Sequence, residues 1–310
     1  MEFSHITVLL NETVGMLDFS SDGIFADLTA GGGGHSALIA SKMSKNSRLI
    51  CFDKDAEAVA VCKKRFENDK RVTVVHSDFK NMREKLSELG ISGIDGVIAD
   101  LGVSSYQLDN AERGFSYMAD AALDMRMDKS RELTAAEVVN SYGESELADI
   151  FFKYGEERFS RKIAAKICEV RKEKPIETTA ELVDVIKSAM PKSAQNEKQH
   201  PAKRCFQALR IEVNGELSSL DEGLKAMHEM LNPGKTMAVI TFHSLEDRAV
   251  KQFFADKARG CTCPKDFPVC VCNKRPEAEI ITRKPVLPTD EEIKANPRAR
   301  SAKLRAAKKL

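Results

Sequence analysis

No apolar run in this 310-residue chain approaches the roughly 18 residues that a membrane-spanning helix requires. A basic segment followed by an apolar stretch is also missing from Met1 to Leu10, so no signal peptide is expected. Eight cysteines are too few for a disulfide scaffold in a chain this long, which points to a reducing, cytoplasmic setting. Charge of one sign is lacking too: 48 Lys and Arg balance 47 Asp and Glu, for a net charge of +1. That excludes a histone-like polycation and an acidic solvating chain, but not nucleic-acid binding, which depends on local distribution. With 42% hydrophobic and 31% charged residues, the chain reads as folded, with room for two domains or one domain and a large insertion.

Strand and helix patterns alternate through the first hundred residues. Short apolar runs at Gly23–Thr29, Arg48–Asp53, Arg71–His76 and Ile94–Asp100 read as buried strands. Amphipathic segments between them, such as Ala56–Asn68, imply a parallel sheet with helices on its faces. The next convincing strand is Thr236–Phe242, far beyond the ~12 residues a crossover needs. The gap reads as helical. Thr134-Ala-Ala-Glu137 and Thr178-Thr-Ala-Glu181 fit the capping box, and Phe159, Ile163, Ile167 and Val170 share a helical face. The expected architecture is a discontinuous α/β domain, residues 1–105 and 215–310, interrupted by an all-helical domain at 106–214. The α/β part resumes with a helix at Leu220–Leu231, and Ile280–Val286 is expected as an edge strand.

The first strand runs into Gly31-Gly-Gly-Gly34 and then a helix. Such a strand–turn–helix unit handles nucleotides, because glycines let backbone N–H groups approach the ligand and the helix dipole favours negative charge. Asp53 ends the second strand, where a carboxylate can accept both hydroxyls of a ribose. A dinucleotide and S-adenosylmethionine both suit this unit. The spacing Gly31-x-Gly33-x-x-Ser36 matches the dinucleotide fingerprint only loosely. Asp27 upstream and the four glycines favour S-adenosylmethionine, whose amino-acid end is zwitterionic. Phe79, after the third strand, is a candidate for the adenine or for plain core packing.

Several longer segments resemble one family: Asp100-Leu-Gly-Val-Ser-Ser105, Gln107-Leu-Asp109, Arg113-Gly-Phe-Ser-Tyr117, Leu123-Asp-Met-Arg-Met-Asp128, His200-Pro-Ala-Lys-Arg204, Phe206–Ile211, Val213-Asn214, Phe242–Arg248 and Asn296–Arg305. They resemble the 16S rRNA cytosine-N4-methyltransferases, the MraW or RsmH family, from His5 to the C-terminus. Tyr106 departs from the proline that many members carry there. The resemblance implies a Rossmann-like class I S-adenosylmethionine-dependent methyltransferase sheet with an inserted helical domain that recognises RNA. It implies methylation of the exocyclic N4 of one cytidine in the decoding centre (the P site) of the small ribosomal subunit. It also implies cofactor contacts at Gly33, Gly34, His35, Asp53, Phe79, Asp100 and Gln107. A homodimer is left open.

Asp100 ends the fourth strand, beside the switch point at which such sheets bind ligands. It is the candidate catalytic residue, as an acceptor for the target amine, as a cofactor contact, or as both. His243 could touch the base or RNA; locally, Ser244 with Asp247 three residues on reads as a helix cap. Lys294–Leu310 holds seven Lys or Arg and no acid, so it is expected either as a solvated tail or as a phosphate-binding arm. His200–Arg210 is a second basic segment, on an RNA channel or between domains. Cys261-x-Cys263 and Cys270-x-Cys272 are spaced unlike the common zinc motifs, which leaves a reduced loop, a bound zinc and a redox disulfide open. Cys51, Cys62, Cys168 and Cys205 read as core. A nicotinamide oxidoreductase would explain only the glycine turn and Asp53. A non-enzymatic nucleic-acid-binding protein on a decayed methyltransferase fold would leave Gly33, Asp53 and Asp100 without purpose.

Overall fold

A computed structural model describes residues 7–197, 199–261, 263, 269, 271, 272 and 274–310. It divides into two compact units, residues 1–102 with 217–310, and residues 103–216.

The first unit opens with α1 (Leu10–Val14), then alternates β1 (Ile24–Asp27), α2 (Gly34–Lys42), β2 (Arg48–Asp53), α3 (Ala56–Arg65), β3 (Val72–His76), α4 (Met82–Glu88) and β4 (Ile94–Asp100). Residues along the strands divide between two cores, as the two-residue period of a strand requires. Phe25, Leu49 and Ile98 face one side, with Ile39 and Ala40 of α2. Ala26, Ile50 and Val97 face the other, with Met82 and Leu86 of α4.

The second unit comprises α5 (Ser105–Asp109), α6 (Ala135–Ser141), α7 (Glu144–Gly155), α8 (Ser160–Val170), α9 (Thr179–Ala189), α10 (Lys192–Gln195) and α11 (Lys203–Asn214). Thr134 and Thr178 cap α6 and α9, each side chain accepting the N–H of the glutamate three residues on. The aliphatic faces of α7, α8, α9 and α11 bury Phe151, Ile163, Ile167, Leu182 and Leu209 in one core. The Leu123–Asp128 motif is a brace within this unit. Asn214 accepts the N–H of Met127 at 2.8 Å and donates to the Met125 carbonyl at 2.8 Å. Buried Arg113 donates to the carbonyls of Arg126 and Met127.

The chain returns to the first unit through α12 (Glu216–Met230), β5 (Leu231–Thr241), α13 (Ser244–Ala258), β6 (Ala278–Ile280), α14 (Asp290–Ala295) and β7 (Lys303–Lys309). The seven strands lie in the order β3-β2-β1-β4-β5-β7-β6. β1 to β5 are parallel, and β7 runs antiparallel to both β5 and β6. This is the Rossmann-like α/β sheet of class I S-adenosylmethionine-dependent methyltransferases. Among the described residues, no helix is long and apolar enough to cross a membrane.

Two expectations at the C-terminus change. The edge strand is the shorter Ala278–Ile280, with Val286 forming only an isolated bridge to Leu304. The basic segment is neither a solvated tail nor an arm: its last turn of sequence is β7, inserted between β5 and β6. Leu304, Ala306 and Ala307 are buried there, which the alternating cations had masked. Asp247 of α13 pairs with Arg305 Nε at 2.6 Å and Lys303 Nζ at 3.1 Å, so two of the cations are neutralised within the fold.

Candidate active site

β1 and β4 are neighbours at the point where the strand order reverses, so the loops after them diverge and open a crevice. Asp27, Asp53 and Asp100 end β1, β2 and β4 at that edge. The turn after β1 enters α2 through Gly33, whose φ of 78° is the left-handed conformation that glycine adopts without strain. The Gly33 N–H donates to the Ala30 carbonyl at 2.7 Å, and the amides of Gly34 and His35 follow it at the N-terminus of a nine-residue helix, where an anionic group is favoured.

The carboxylates hold this turn in shape. Asp53 Oδ2 accepts the Gly31 N–H at 2.8 Å, and its Oδ1 accepts that of Asp55 at 2.8 Å. Each oxygen keeps a second lone pair for a ligand hydroxyl. Asp27 Oδ2 accepts from Ser36 Oγ at 2.6 Å, and its Oδ1 from the Thr29 N–H at 3.2 Å. Thr29 Oγ1 in turn accepts the Asp100 N–H at 2.6 Å, which ties the β1 loop to the end of β4. Asp27 and Thr29 thus belong to the site as well. Asp27 is recognisable in sequence as a strand-terminal acid, whereas Thr29 carries no such signal.

Burial raises all three acids above the ordinary carboxylate range. Asp27 is pushed up to about 6 by burial, against its hydrogen bonds from Ser36 and Thr29, with the Asp53 charge adding to the rise. Asp53 is raised by burial, opposed by the Asp55 and Gly31 amides. Asp100 is raised well above its usual value by burial and then by the charges of Asp27 and Glu246. Its Oδ1 is buried without a hydrogen-bond partner among the described residues, while Oδ2 stands 3.9 Å from His35 Nδ1. Crowded, destabilised carboxylates are complementary to a cation and repel a pyrophosphate.

Three expected site residues have structural partners that sequence alone did not show. Phe79 is buried in the core under α12, where a Cβ on Gly223 would lie 2.3 Å from the ring's Cε2; only glycine admits this approach. Gln107 lies in the second unit, in a reciprocal cap with Ser104. Gln107 Oε1 accepts the Ser104 N–H at 3.1 Å, and Ser104 Oγ accepts the Gln107 N–H at 3.2 Å. The cap of α13 is His243 itself, not Ser244: its Nδ1 accepts the Glu246 N–H at 3.4 Å, and Glu246 Oε2 accepts the N–H groups of Phe242 and His243. That places Glu246 where its charge reaches Asp100. In the basic segment of α11, Arg210 is held by Glu216 at 2.7 and 2.8 Å. Cys51, Cys62 and Cys205 are buried, and Cys168 is half-buried. Cys270 lies outside the described residues, as do Pro264 and Pro268, the prolines expected from sequence to stiffen the cysteine loop.

The MraW methylase family model matches residues 2–310. The "Ribosomal RNA small subunit methyltransferase H" of Clostridioides difficile (strain 630) is 53% identical over 311 residues, covering 100% of both chains. Proteins of the same name from Brevibacillus brevis and Clostridium botulinum (strain Loch Maree) are 51% and 53% identical, covering 100% of this chain and 99% and 100% of theirs. Matched over nearly its whole length and more than half identical to these relatives, the chain belongs to the MraW methylase family.

Proposed function

We propose that this protein methylates the exocyclic N4 of a cytidine in the decoding centre of 16S rRNA. The observation that carries the chemistry is Asp100: a strand-end carboxylate at the switch point, whose buried Oδ1 has no partner among the described residues. The substrate class is supported by full-length relatives named for small-subunit rRNA.

In this reading the Gly34 and His35 amides hold the cofactor's carboxylate, Gly33 shapes the turn through its own N–H bond to the Ala30 carbonyl, and Asp53 takes the ribose hydroxyls. Phe79 backs the adenine, and Gln107 holds the start of α5. The bound sulfonium supplies an electrophilic methyl group. Orientation is the main task left to the protein, because that methyl is already activated. The nucleophile is the harder partner, since the N4 lone pair is delocalised into the ring. Asp100 accepts a hydrogen bond from the amine, favouring a pyramidal nitrogen, and its charge offsets the positive charge that grows there. With the cofactor bound, methyl transfer to N4 would release one amine proton, which Asp100 Oδ1 would accept and pass to water. A carboxyl raised by burial is suited to hold that proton. RNA recognition falls to residues 103–216, where Phe152 is 64% exposed and offers a stacking surface for an unpaired base.

Small ribosomal subunits lacking the modification, incubated with labelled S-adenosylmethionine and digested to nucleosides, test the reading. The label is expected in N4-methylcytidine. Label in another nucleoside, or none on any ribosomal substrate, overturns it.

A further inference from the structure

The loop between α13 and β6 carries half of the chain's eight cysteines. Its base is pinned: the Glu277 N–H donates to the Lys257 carbonyl at 2.8 Å, and Lys257 Nζ donates to Glu277 Oε2 at 2.6 Å. Beyond that base, Cys261 and Cys272 are exposed, and so are the apolar side chains Val269 and Val271. Exposed apolar side chains beside thiols are what a covalent or metal staple can hold in one shape.

The three described thiols converge. The sulfurs of Cys261, Cys263 and Cys272 all lie within 4.8 Å of one another. Cys272 Sγ is 3.7 Å from Cys261 Sγ. A disulfide needs about 2.05 Å, whereas two thiolates on one tetrahedral zinc, with Zn–S near 2.3 Å, stand about 3.8 Å apart. The surrounding backbone is also arranged for sulfur anions. The Cys263 N–H donates to Cys261 Sγ at 3.4 Å, and the Val271 N–H donates to Cys263 Sγ at 3.4 Å. Amides aimed at sulfur orient metal ligands and stabilise their charge.

We infer that Cys261, Cys263 and Cys272 hold a structural zinc ion that staples the loop between α13 and β6. Three soft thiolates favour zinc over calcium or magnesium, which take oxygen ligands. Each thiol loses its proton to solvent on binding, so retention of the metal weakens as pH falls. The site is separate from the methyl-transfer crevice and does not depend on the proposed substrate. Cys270 lies outside the described residues and carries none of the argument.

The test uses the full chain, purified without chelators or a histidine tag, with metal measured by plasma mass spectrometry. About one zinc per chain is expected, released on titration with a mercurial reagent. Replacing the metal with cobalt(II) should give an intense thiolate-to-metal absorption band together with the visible bands of a tetrahedral site. The variant Cys261→Ser/Cys263→Ser/Cys272→Ser should lose at least about nine-tenths of its metal, while Cys168→Ser keeps it. Metal-free wild-type protein with no cobalt band overturns the inference. So does a cobalt band that survives the triple variant, or a Cys261–Cys272 disulfide recovered in place of metal. Should the triple variant fail to fold, the wild-type cobalt spectrum still decides.

Discussion

Arg305 Nε, on an inner strand of the sheet, donates to Asp247 Oδ1 across 2.6 Å, and both side chains are largely buried. Removing one partner strands the other. Asp247→Ala should therefore destabilise the protein by about 3 kcal/mol, seen as a lower urea midpoint with an unchanged slope. Burial opposes ionisation of Asp247, but the hydrogen bonds from Arg305 and Lys303 outweigh it and hold the carboxyl below its ordinary value. Its contribution is thus complete above the unfolded value of about 3.9 and fades as pH falls through the lower folded one. Asp247→Asn should flatten that acid limb; an identical limb would mean the pair contributes nothing.

Truncation after Asn296 should abolish folding rather than trim RNA affinity. It removes β7, leaving β5 and β6 unpaired on facing edges. Circular dichroism of the truncated chain should show loss of cooperative melting. A truncated chain that melts cooperatively contradicts the interior placement of β7.

Asp100→Asn should slow single-turnover methyl transfer at saturating cofactor by about 30- to 1,000-fold, if the electrostatic contribution is ~2–4 kcal/mol. The same change should raise the melting temperature. A buried acid with a raised folded pKa binds its proton more tightly when folded, so stability drops as pH rises from the unfolded value to the folded one. Asparagine carries no charge to bury and escapes that penalty at neutral pH. A normal transfer rate would remove Asp100 from the chemical step, and an unchanged melting temperature at pH 8 would contradict its burial cost.

Asp53→Ala should weaken S-adenosylmethionine binding at least about tenfold, because charge-assisted hydrogen bonds contribute ~1.5–3 kcal/mol each. Part of the loss comes from the Gly31 amide, which would no longer be held. Calorimetry reads the affinity directly, and unchanged affinity sinks the ribose assignment.

Gly223→Ala should reach the same site from behind. The new methyl would sit within 2.3 Å of the Phe79 ring, which must shift. Overpacking costs about 1–3 kcal/mol, partly offset by the ~1 kcal/mol gain of alanine over glycine within a helix. Cofactor affinity is expected to fall by more than the melting temperature suggests. Equal affinity in both proteins would show that the Phe79 ring position does not matter for the cofactor.

The alternation of β1 to β4 with helices was legible because each strand is a short apolar run, three of them closed by an acid and β3 by His76. The glycine turn was legible because its residues are neighbours in sequence, and the threonine caps at Thr134 and Thr178 for the same reason. β7 was not. Lys303, Arg305, Lys308 and Lys309 outweigh Leu304 and Ala306 in any local count, and the acid that neutralises Arg305 lies 58 residues away. His243 displaced Ser244 as a cap because an imidazole nitrogen can accept an amide proton, an uncommon choice that cap preferences rank low. The motifs of the family resemblance do not sort themselves by role. Asp100 faces a crevice, while Arg113 and Asn214 brace a core, and only the geometry separates them.

The place of β7 also governs how the nascent protein is made. β4 leaves the ribosome long before its neighbour β5, and β5 waits in turn for a strand whose last residue is Lys309. Until then the growing sheet carries an open edge, the form most prone to pair with another chain. A ribosome that stalls before β7 has emerged would release an aggregation-prone fragment instead of a weakened enzyme.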